Sequence, residues 1–253
     1  MKVKPHEVRA ANRRFFDLAS EVYEQVDGRR SEIAPDWLVK ILQYLAKMAP
    51  EGPYLDIGCG TGWLIRCAAD FFPDRYGSDI SPVILKHALK KCHGCIASQA
   101  EALPYKTESF AVVSFFATFH HLPEWEPVIE EAQRVLKPGG WLYTDHDIDR
   151  IFLKRFRVFL SIYRRFRKAP KRYHKACPQI SRELYYMSEF HENTGVSAQS
   201  LESILKRTGF NLINLEWHWL GVHPVFDIIG RIVGVRRSPG FAPNLRIIAQ
   251  KST

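Results

Sequence analysis

Glycines at positions 58, 60 and 62, with Asp56 before them and Asp79 after them, are the residues whose types and spacing most directly suggest chemistry. Glycine has no Cβ, so a Gly-rich turn between a strand and a helix lets the backbone come close to a ligand. The helix that follows offers N–H groups with no intrahelical partner. The dinucleotide fingerprint places its glycines as G-x-G-x-x-G against a pyrophosphate, whereas here the order is G-x-G-x-G with Trp at position 63. Asp79 stands 23 residues past Asp56, at the end of a second predicted strand. A carboxylate there can accept both hydroxyls of a ribose, each charge-assisted bond contributing about 1.5–3 kcal/mol. The plainer alternative is a turn aspartate before Ser81-Pro82. Cys92-His93-Gly94-Cys95 is spaced like half a zinc site, but no second Cys pair accompanies it and Cys95 opens a predicted strand. No metal is expected.

These residues need elements to position them. Residues 7–48 read as helices, with Phe15, Phe16, Leu18, Ala19, Val22 and Tyr23, then Trp37, Leu38, Ile41, Leu42 and Leu45, at helical spacing. Pro50-Glu51-Gly52-Pro53 stops the second of them. Strand and helix then alternate: a strand Tyr54 to Ile57, a helix Trp63 to Phe72, and a strand Arg75 to Ile80. A helix follows from Ser81-Pro82 to Lys91, then strands Cys95 to Ser98 and Phe110 to Phe116. The last of these is almost wholly apolar, as a parallel strand buried on both faces should be. A helix from Pro127 to Leu136 ends at Lys137-Pro138-Gly139-Gly140, and Trp141 to Thr144 is the fifth strand. The alternation predicts an α/β fold with a doubly wound parallel sheet. After a basic interruption, Ser197 to Thr208 reads as a helix, and Asn211 to Trp217 and Leu245 to Ala249 as strands that complete the sheet.

With these elements in order, the chain resembles the ubiquinone/menaquinone-biosynthesis (UbiE-like, methyltransferase type 11) branch of the class I S-adenosylmethionine-dependent methyltransferases. The resemblance covers roughly residues 50–147. It rests on Asp56 through Gly62, Gly77-Ser78-Asp79-Ile80-Ser81, Ala100-Glu101-Ala102-Leu103-Pro104-Tyr105, Ser109 to Val113, His120-His121-Leu122 and Arg134 to Gly140. It implies a Rossmann-like class I sheet with N-terminal helices and a basic helical insertion after the fifth strand, and S-adenosylmethionine as cofactor with S-adenosylhomocysteine as product. Asp56, Ile57, Gly58, Cys59, Gly60 and Gly62 would hold the methionine part and Asp79 the ribose. Ile80 would pack on the adenine, Ala100 and Glu101 would border it, and Phe116 would lie under the methionine end. Gln99 stands where the family usually has Asp, and implies adenine recognition without charge. The resemblance also suggests that Tyr23 and Phe16 close over the cofactor; a plain packing role is the alternative.

Methyl transfer from a sulfonium asks the protein for in-line placement and, with some acceptors, a base. His120 and His121 follow the fourth strand, where ligands of open α/β sheets sit, and either could be that base. The alternative is that they cap the loop and orient the cofactor or the chain.

The whole reads as a single domain: a helical cap (1–50), a cofactor-binding core (51–148), a basic amphipathic helical insertion or lid (149–195) and a C-terminal completion of the sheet (196–253). The 46% apolar fraction can fill one sizeable core. The odd, sparse cysteines, five in all, argue against a disulfide framework. No leader segment or membrane-spanning run is visible, so a cytoplasmic protein is expected.

The net charge of +9 has one source. Eleven Lys/Arg and no Asp or Glu lie between Arg150 and Lys175, which leaves 25 of the 36 basic residues against 27 acidic ones elsewhere. On a helical wheel, Ile151, Phe152, Phe156, Val158, Phe159, Leu160, Ile162, Tyr163 and Phe166 form an apolar face. Lys154, Arg157, Arg164, Arg165 and Lys168 lie opposite, while Arg155 and Arg167 break the pattern. Such a helix suits peripheral contact of residues 151–172 with an anionic membrane, or a lid that buries its aromatic face over the site. Both fit a small acceptor of apolar or lipid-like character. The rival is an RNA or nucleic-acid methyltransferase that holds phosphates with residues 150–175. Against it, Ser114-Phe115-Phe116-Ala117 is not the Asn/Asp-Pro-Pro-aromatic motif of base-amino methyltransferases, and no Pro-Cys pair is present.

Overall fold

The computed structural model describes residues 3–27, 34–167, 169–221, 228, 232, 234–235 and 238–253; of 27 and 163–167 it describes the backbone only. Helices α1 (Pro5–Ala19), α2 (Tyr23–Asp27) and α3 (Asp36–Met48) lead into a core of β1 (Tyr54–Ile57), α4 (Trp63–Cys67), β2 (Arg75–Asp79), α5 (Leu85–Ala88), β3 (Gly94–Ala97) and β4 (Phe110–Phe116). A 3₁₀ turn (Phe119–His121), α6 (Glu126–Val135) and β5 (Leu136–Ile148) follow. The insertion holds α7 (Arg150–Arg155), α8 (Arg157–Arg167), α9 (Ala169–Ala176) and α10 (Arg182–Ser188). The chain closes with α11 (Ala198–Arg207), β6 (Phe210–His218) and β7 (Asn244–Lys251).

The strands form one seven-stranded sheet in the order β3-β2-β1-β4-β5-β7-β6. β1 to β5 run parallel, as their apolar texture predicts, and every residue of β4 is buried. The two C-terminal strands do complete this sheet, with β7 antiparallel to both of its neighbours. One face packs on α6 and α11 through Val128, Ile129, Ala132, Leu201 and Leu205. The other packs on α3, α4 and α5 through Leu38, Leu42, Leu45, Leu64 and Leu85. This is the Rossmann-like class I arrangement expected of the chain.

Several elements differ from the sequence reading. The helix expected over residues 63–72 is regular only to Cys67, and that over 82–91 only at Leu85–Ala88, where the Ser81 hydroxyl accepts from the Ile84 N–H at 3.1 Å. β5 runs far beyond the expected Trp141 to Thr144. The single helix expected over residues 151–168 is two helices: α7, N-capped by Asp149 and with Phe152 and Leu153 buried, ends where Phe156 leaves helical geometry. The expected lid face is also corrected. Val158, Phe159 and Ile162 are 72%, 62% and 55% exposed, so that side of α8 faces solvent. The side chains of Tyr163 to Lys168, part of the same expectation, lie outside the described ones. Cys92 and Cys95 are in disulfide contact, a pairing the sparse cysteines did not suggest.

A buried ionic knot joins β5, β6 and β7. Asp145 Oδ2 accepts from Arg246 Nε and the Tyr143 hydroxyl, each at 2.8 Å; Oδ1 pairs with His218 Nε2 at 2.8 Å and accepts from the His146 backbone N–H at 2.6 Å. Burial pushes the Asp145 carboxyl up, but the Arg246 guanidinium, then His218 and His146, outweigh it and hold it well below the usual carboxylate range. Removing one partner of a buried pair leaves an uncompensated charge, at a cost of about 3–5 kcal/mol. Asp145→Ala should therefore lower the urea midpoint by that equivalent at neutral pH. The wild-type advantage should shrink in acid, because a carboxylate with a depressed pKa loses its contribution as pH falls towards that pKa.

Candidate active site

At the C-terminal end of β1 the chain turns through Gly58, Gly60 and Gly62, with φ of +71°, +53° and +78°. Side chains rarely adopt that region, which accounts for glycine at each position. The turn is tied to the end of β2: Gly58 and Cys59 donate their N–H groups to the Ser78 carbonyl at 2.7 and 3.0 Å. Gly60 N–H donates to Asp79 Oδ2 and Ser81 N–H to Asp79 Oδ1, both at 2.9 Å. Asp79 thus fastens the glycine turn to the next loop. The turn-aspartate role and a ligand role coexist, because each carboxylate oxygen has further acceptor capacity. Burial raises the Asp79 carboxyl, against the N–H groups of Ser81, Gly60 and Ile80.

These loops floor a cleft that is partly open to solvent. Of the residues singled out from sequence, Ile57, Gly58, Gly60, Asp79, Ile80, Ala100, Glu101, Phe116, Tyr23 and His121 line it, and so does Phe16. Asp56, Cys59, Gly62, Gln99 and His120 are not in its lining. Asp56 is buried behind the turn and accepts from the Ser114 hydroxyl at 2.6 Å. Gly62 meets α5, where an added Cβ would stand 3.0 Å from Ala88 Cα, so this glycine serves close packing. Cys59 is buried beside Gly77.

The roof comes from α1. Arg9, Asn12 and Phe16 follow one helical stripe over the cleft, and Arg9 Nη1 lies 3.1 Å from Glu101 Oε1. The sequence reading missed Arg9 and Asn12; their spacing to Phe16 was the available signal. α1 in turn rests on the insertion, with the Phe15 ring 5.1 Å from Tyr173 and 6.0 Å from Tyr185. The cleft's cover is therefore α1 and Tyr23, backed by α9 and α10.

The two histidines follow β4 in the 3₁₀ turn. His121 Nδ1 lies 2.9 Å from the Ser188 carbonyl, and its ring meets Phe16 edge-on at 5.2 Å. Burial, then neighbouring His120, lowers its pKa to about 4. The His120 ring lies 4.0 Å from that of His121, with Nδ1 2.8 Å from Asp147 Oδ1 and Nε2 3.4 Å from Glu189 Oε2.

The cleft combines a carboxylate with apolar walls and exposed backbone. Asp79 supplies a carboxylate, Ile80 and Ala100 supply apolar walls, and the backbone at Gly58 and Gly60 offers close approach without side chains.

Comparison with known proteins finds methyltransferases. Residues 55–144 match the family model described as a methyltransferase domain. The chain is 29% identical to malonyl-[acyl-carrier protein] O-methyltransferase of Hahella chejuensis over 50% of this chain and 46% of that protein. It is 27% identical to demethylmenaquinone methyltransferase of Lactococcus lactis over 80% of this chain and 83% of that protein. A solved structure from Thermotoga maritima, described as an S-adenosylmethionine-dependent methyltransferase and possible histamine N-methyltransferase, superposes with a TM-score of 0.61 at 21% identity. That match covers 95% of this chain and 99% of that one, and it bears on fold. The chain spans less than half the length of the first of these relatives.

A Cβ at Gly58 would lie 2.6 Å from Thr118 Cγ2 and 2.8 Å from its hydroxyl oxygen, at a φ that side chains avoid. Gly58→Ala should cost about 1–3 kcal/mol of stability. By displacing the turn that lines the cleft it should also weaken S-adenosylmethionine binding at least about tenfold by calorimetry, about 1.4 kcal/mol, while the far-ultraviolet circular dichroism stays native.

Proposed function

We infer that this chain, which carries a class I S-adenosylmethionine-dependent methyltransferase domain of the UbiE type, moves a methyl group from S-adenosylmethionine onto a small acceptor of apolar or lipid-like character. The observation that carries the reading is one cleft that gathers Gly58, Gly60, Asp79, Ile80, Ala100 and Phe116 beneath α1. When bound there, the cofactor supplies an electrophilic methyl on sulfonium. The chain's own part is to bind and orient it. Asp79 is placed for the ribose hydroxyls, Ile80 and Ala100 for the adenine, and Phe116 with the Gly58 turn for the methionine end. Asp56 and Cys59 act from behind, by holding the turn, and Gln99 reaches the adenine region only through its neighbours Ser98 and Ala100. Tyr23 and His121 are the acceptor-side candidates among the residues that line the cleft, and α1 with Tyr23 covers part of it.

The apolar acceptor has two supports. Phe16, Tyr23, Phe116 and Leu122 give the cleft an apolar wall. Outside it, exposed Val158, Phe159 and Ile162 stand beside exposed Lys154 and Arg157. Nearby, Phe241 is exposed beneath the Arg155 guanidinium, 4.4 Å from its ring. Apolar side chains flanked by cations suit the headgroup region of an anionic bilayer, where each cation contributes about 1 kcal/mol. Among the described residues no helix is long and apolar enough to cross a membrane.

Calorimetry should show S-adenosylmethionine binding with one site, and Asp79→Ala should weaken it at least about tenfold; no heat at millimolar cofactor would sink the reading. A screen of acceptors with labelled cofactor then identifies the substrate.

Flotation tests the surface. The protein should rise with vesicles containing anionic lipid and not with neutral ones, and the double variant Phe159→Ser/Ile162→Ser should lose most of that binding. Retention of total RNA in a gel shift without flotation reverses the assignment in favour of a nucleic-acid substrate.

A further inference from the structure

The histidine pair belongs to a group that methyl transfer does not require. One ring nitrogen from each of His120 and His121 and a carboxylate oxygen of Glu189 lie within 4.8 Å of one another. They come from two distant parts of the chain, the turn after β4 and the residue after α10, so the fold has to bring them together. We propose that His120, His121 and Glu189 form a binding site for a borderline divalent cation of the Zn²⁺ class, with Asp147 and the Ser188 carbonyl orienting the two imidazoles.

The protonation pattern is the first argument. His121 Nδ1 faces the Ser188 carbonyl at 2.9 Å, and a carbonyl oxygen only accepts, so Nδ1 carries the hydrogen. His120 Nδ1 faces Asp147 Oδ1 at 2.8 Å, and the same oxygen accepts the His120 backbone N–H at 2.9 Å. With Nδ1 donating on both rings, Nε2 is the lone-pair nitrogen on both. Metal-binding histidines are held in this way, the second ring nitrogen donating to a carboxylate or a backbone carbonyl.

Distance is the second argument. His120 Nε2 and Glu189 Oε2 stand 3.4 Å apart. In these neutral tautomers both carry lone pairs, and either a shared proton or a metal ion between them lets two such atoms approach to that distance. Nitrogen and oxygen ligands held about 2.0–2.2 Å from a tetrahedral ion stand about 3.3–3.6 Å from each other. Asp147 adds a third point: it is buried, and its Oδ2 has no hydrogen-bond partner among the described residues.

Two imidazoles with one carboxylate suit Zn²⁺ and its neighbours better than Mg²⁺ or Ca²⁺, which take oxygen ligands. Three protein ligands leave a fourth position for water. The other His-carboxylate group, Asp145 with His146 and His218, is neutralised by Arg246 at 2.8 Å and is the weaker candidate.

The ion would staple the insertion to the core. It would also brace the cleft, since Asn12 of α1 donates to the His121 carbonyl at 2.9 Å and Phe16 packs on the His121 ring. A coordinated imidazole has no lone pair for a proton, so this assignment replaces the general-base role considered for the two histidines.

The full-length protein, freed of metal by chelator and dialysis, is titrated with Zn²⁺ by calorimetry and with Co²⁺ by visible absorption. One equivalent should bind, with the ligand-field bands of a low-coordinate N/O site and a rise in Tm. Glu189→Gln keeps size and removes the anionic ligand, and should weaken Zn²⁺ binding at least tenfold with an unchanged metal-free Tm. Asp147→Asn, which acts through His120, should weaken it about 10–100-fold. Absence of binding to the wild type shows the cluster is held by a proton and overturns the proposal. So does Zn²⁺ binding that survives Glu189→Gln unchanged, or that is lost in His218→Asn instead.

Discussion

The fold of the site depends on a single buried carboxylate. Asp145 sits in the middle of the sheet with Arg246, Tyr143, His218 and His146 around it. Such a group is tolerable only if every lone pair is used, and here they are used by donors from β5, β6 and β7. The consequence runs along β5. Register shifts between Thr144 and Asp147, and His146 sits at φ +67° in that irregularity. Bulges re-aim side chains next to active sites. This one stacks the His146 ring 4.4 Å from Phe116 of the cleft and 5.3 Å from Trp37 of α3. Beyond it, Asp147 is turned towards His120.

A second carboxylate has the same double duty. Asp79 accepts the Gly60 and Ser81 N–H groups, so a cradle without side chains is held open by the group that also faces the ligand. Backbone at positive φ stores strain that its surroundings must determine. The Ser78 carbonyl and the Asp79 carboxylate do this at two adjacent residues, which explains why a short turn can be both open and rigid.

The parallel core was legible because its signals are local. Apolar strands, glycines beyond β1 and acids at two strand ends sit within a few residues of what they control. The cleft lining followed for Gly58, Gly60, Asp79, Ile80 and Phe116, which all lie at carboxyl ends of strands. Asp56, Cys59 and Gly62 belong to the same motif, yet they serve the turn from behind: Asp56 is bonded to Ser114, Cys59 lies against Gly77 and Gly62 against Ala88. The roof was harder to read. Arg9 acts on Glu101 across 92 positions and Asn12 on His121 across 109, and no spacing rule links such pairs. The wheel over residues 151–168 failed because it assumed one straight helix, whereas the chain leaves helical geometry at Phe156, between α7 and α8.

The insertion resolves into two tasks that its composition could not separate. Tyr173 of α9 and Tyr185 of α10 pack against Phe15, and this backs the roof helix from outside. α8, between the same basic residues, leaves Val158 and Phe159 in solvent. Burying a few such side chains in another phase is worth about 1.5–3 kcal/mol each, so a surface that keeps them exposed beside cations is costly unless something meets it. The roof and the exposed stripe lie on one continuous segment, with α9 following α8 after a single residue.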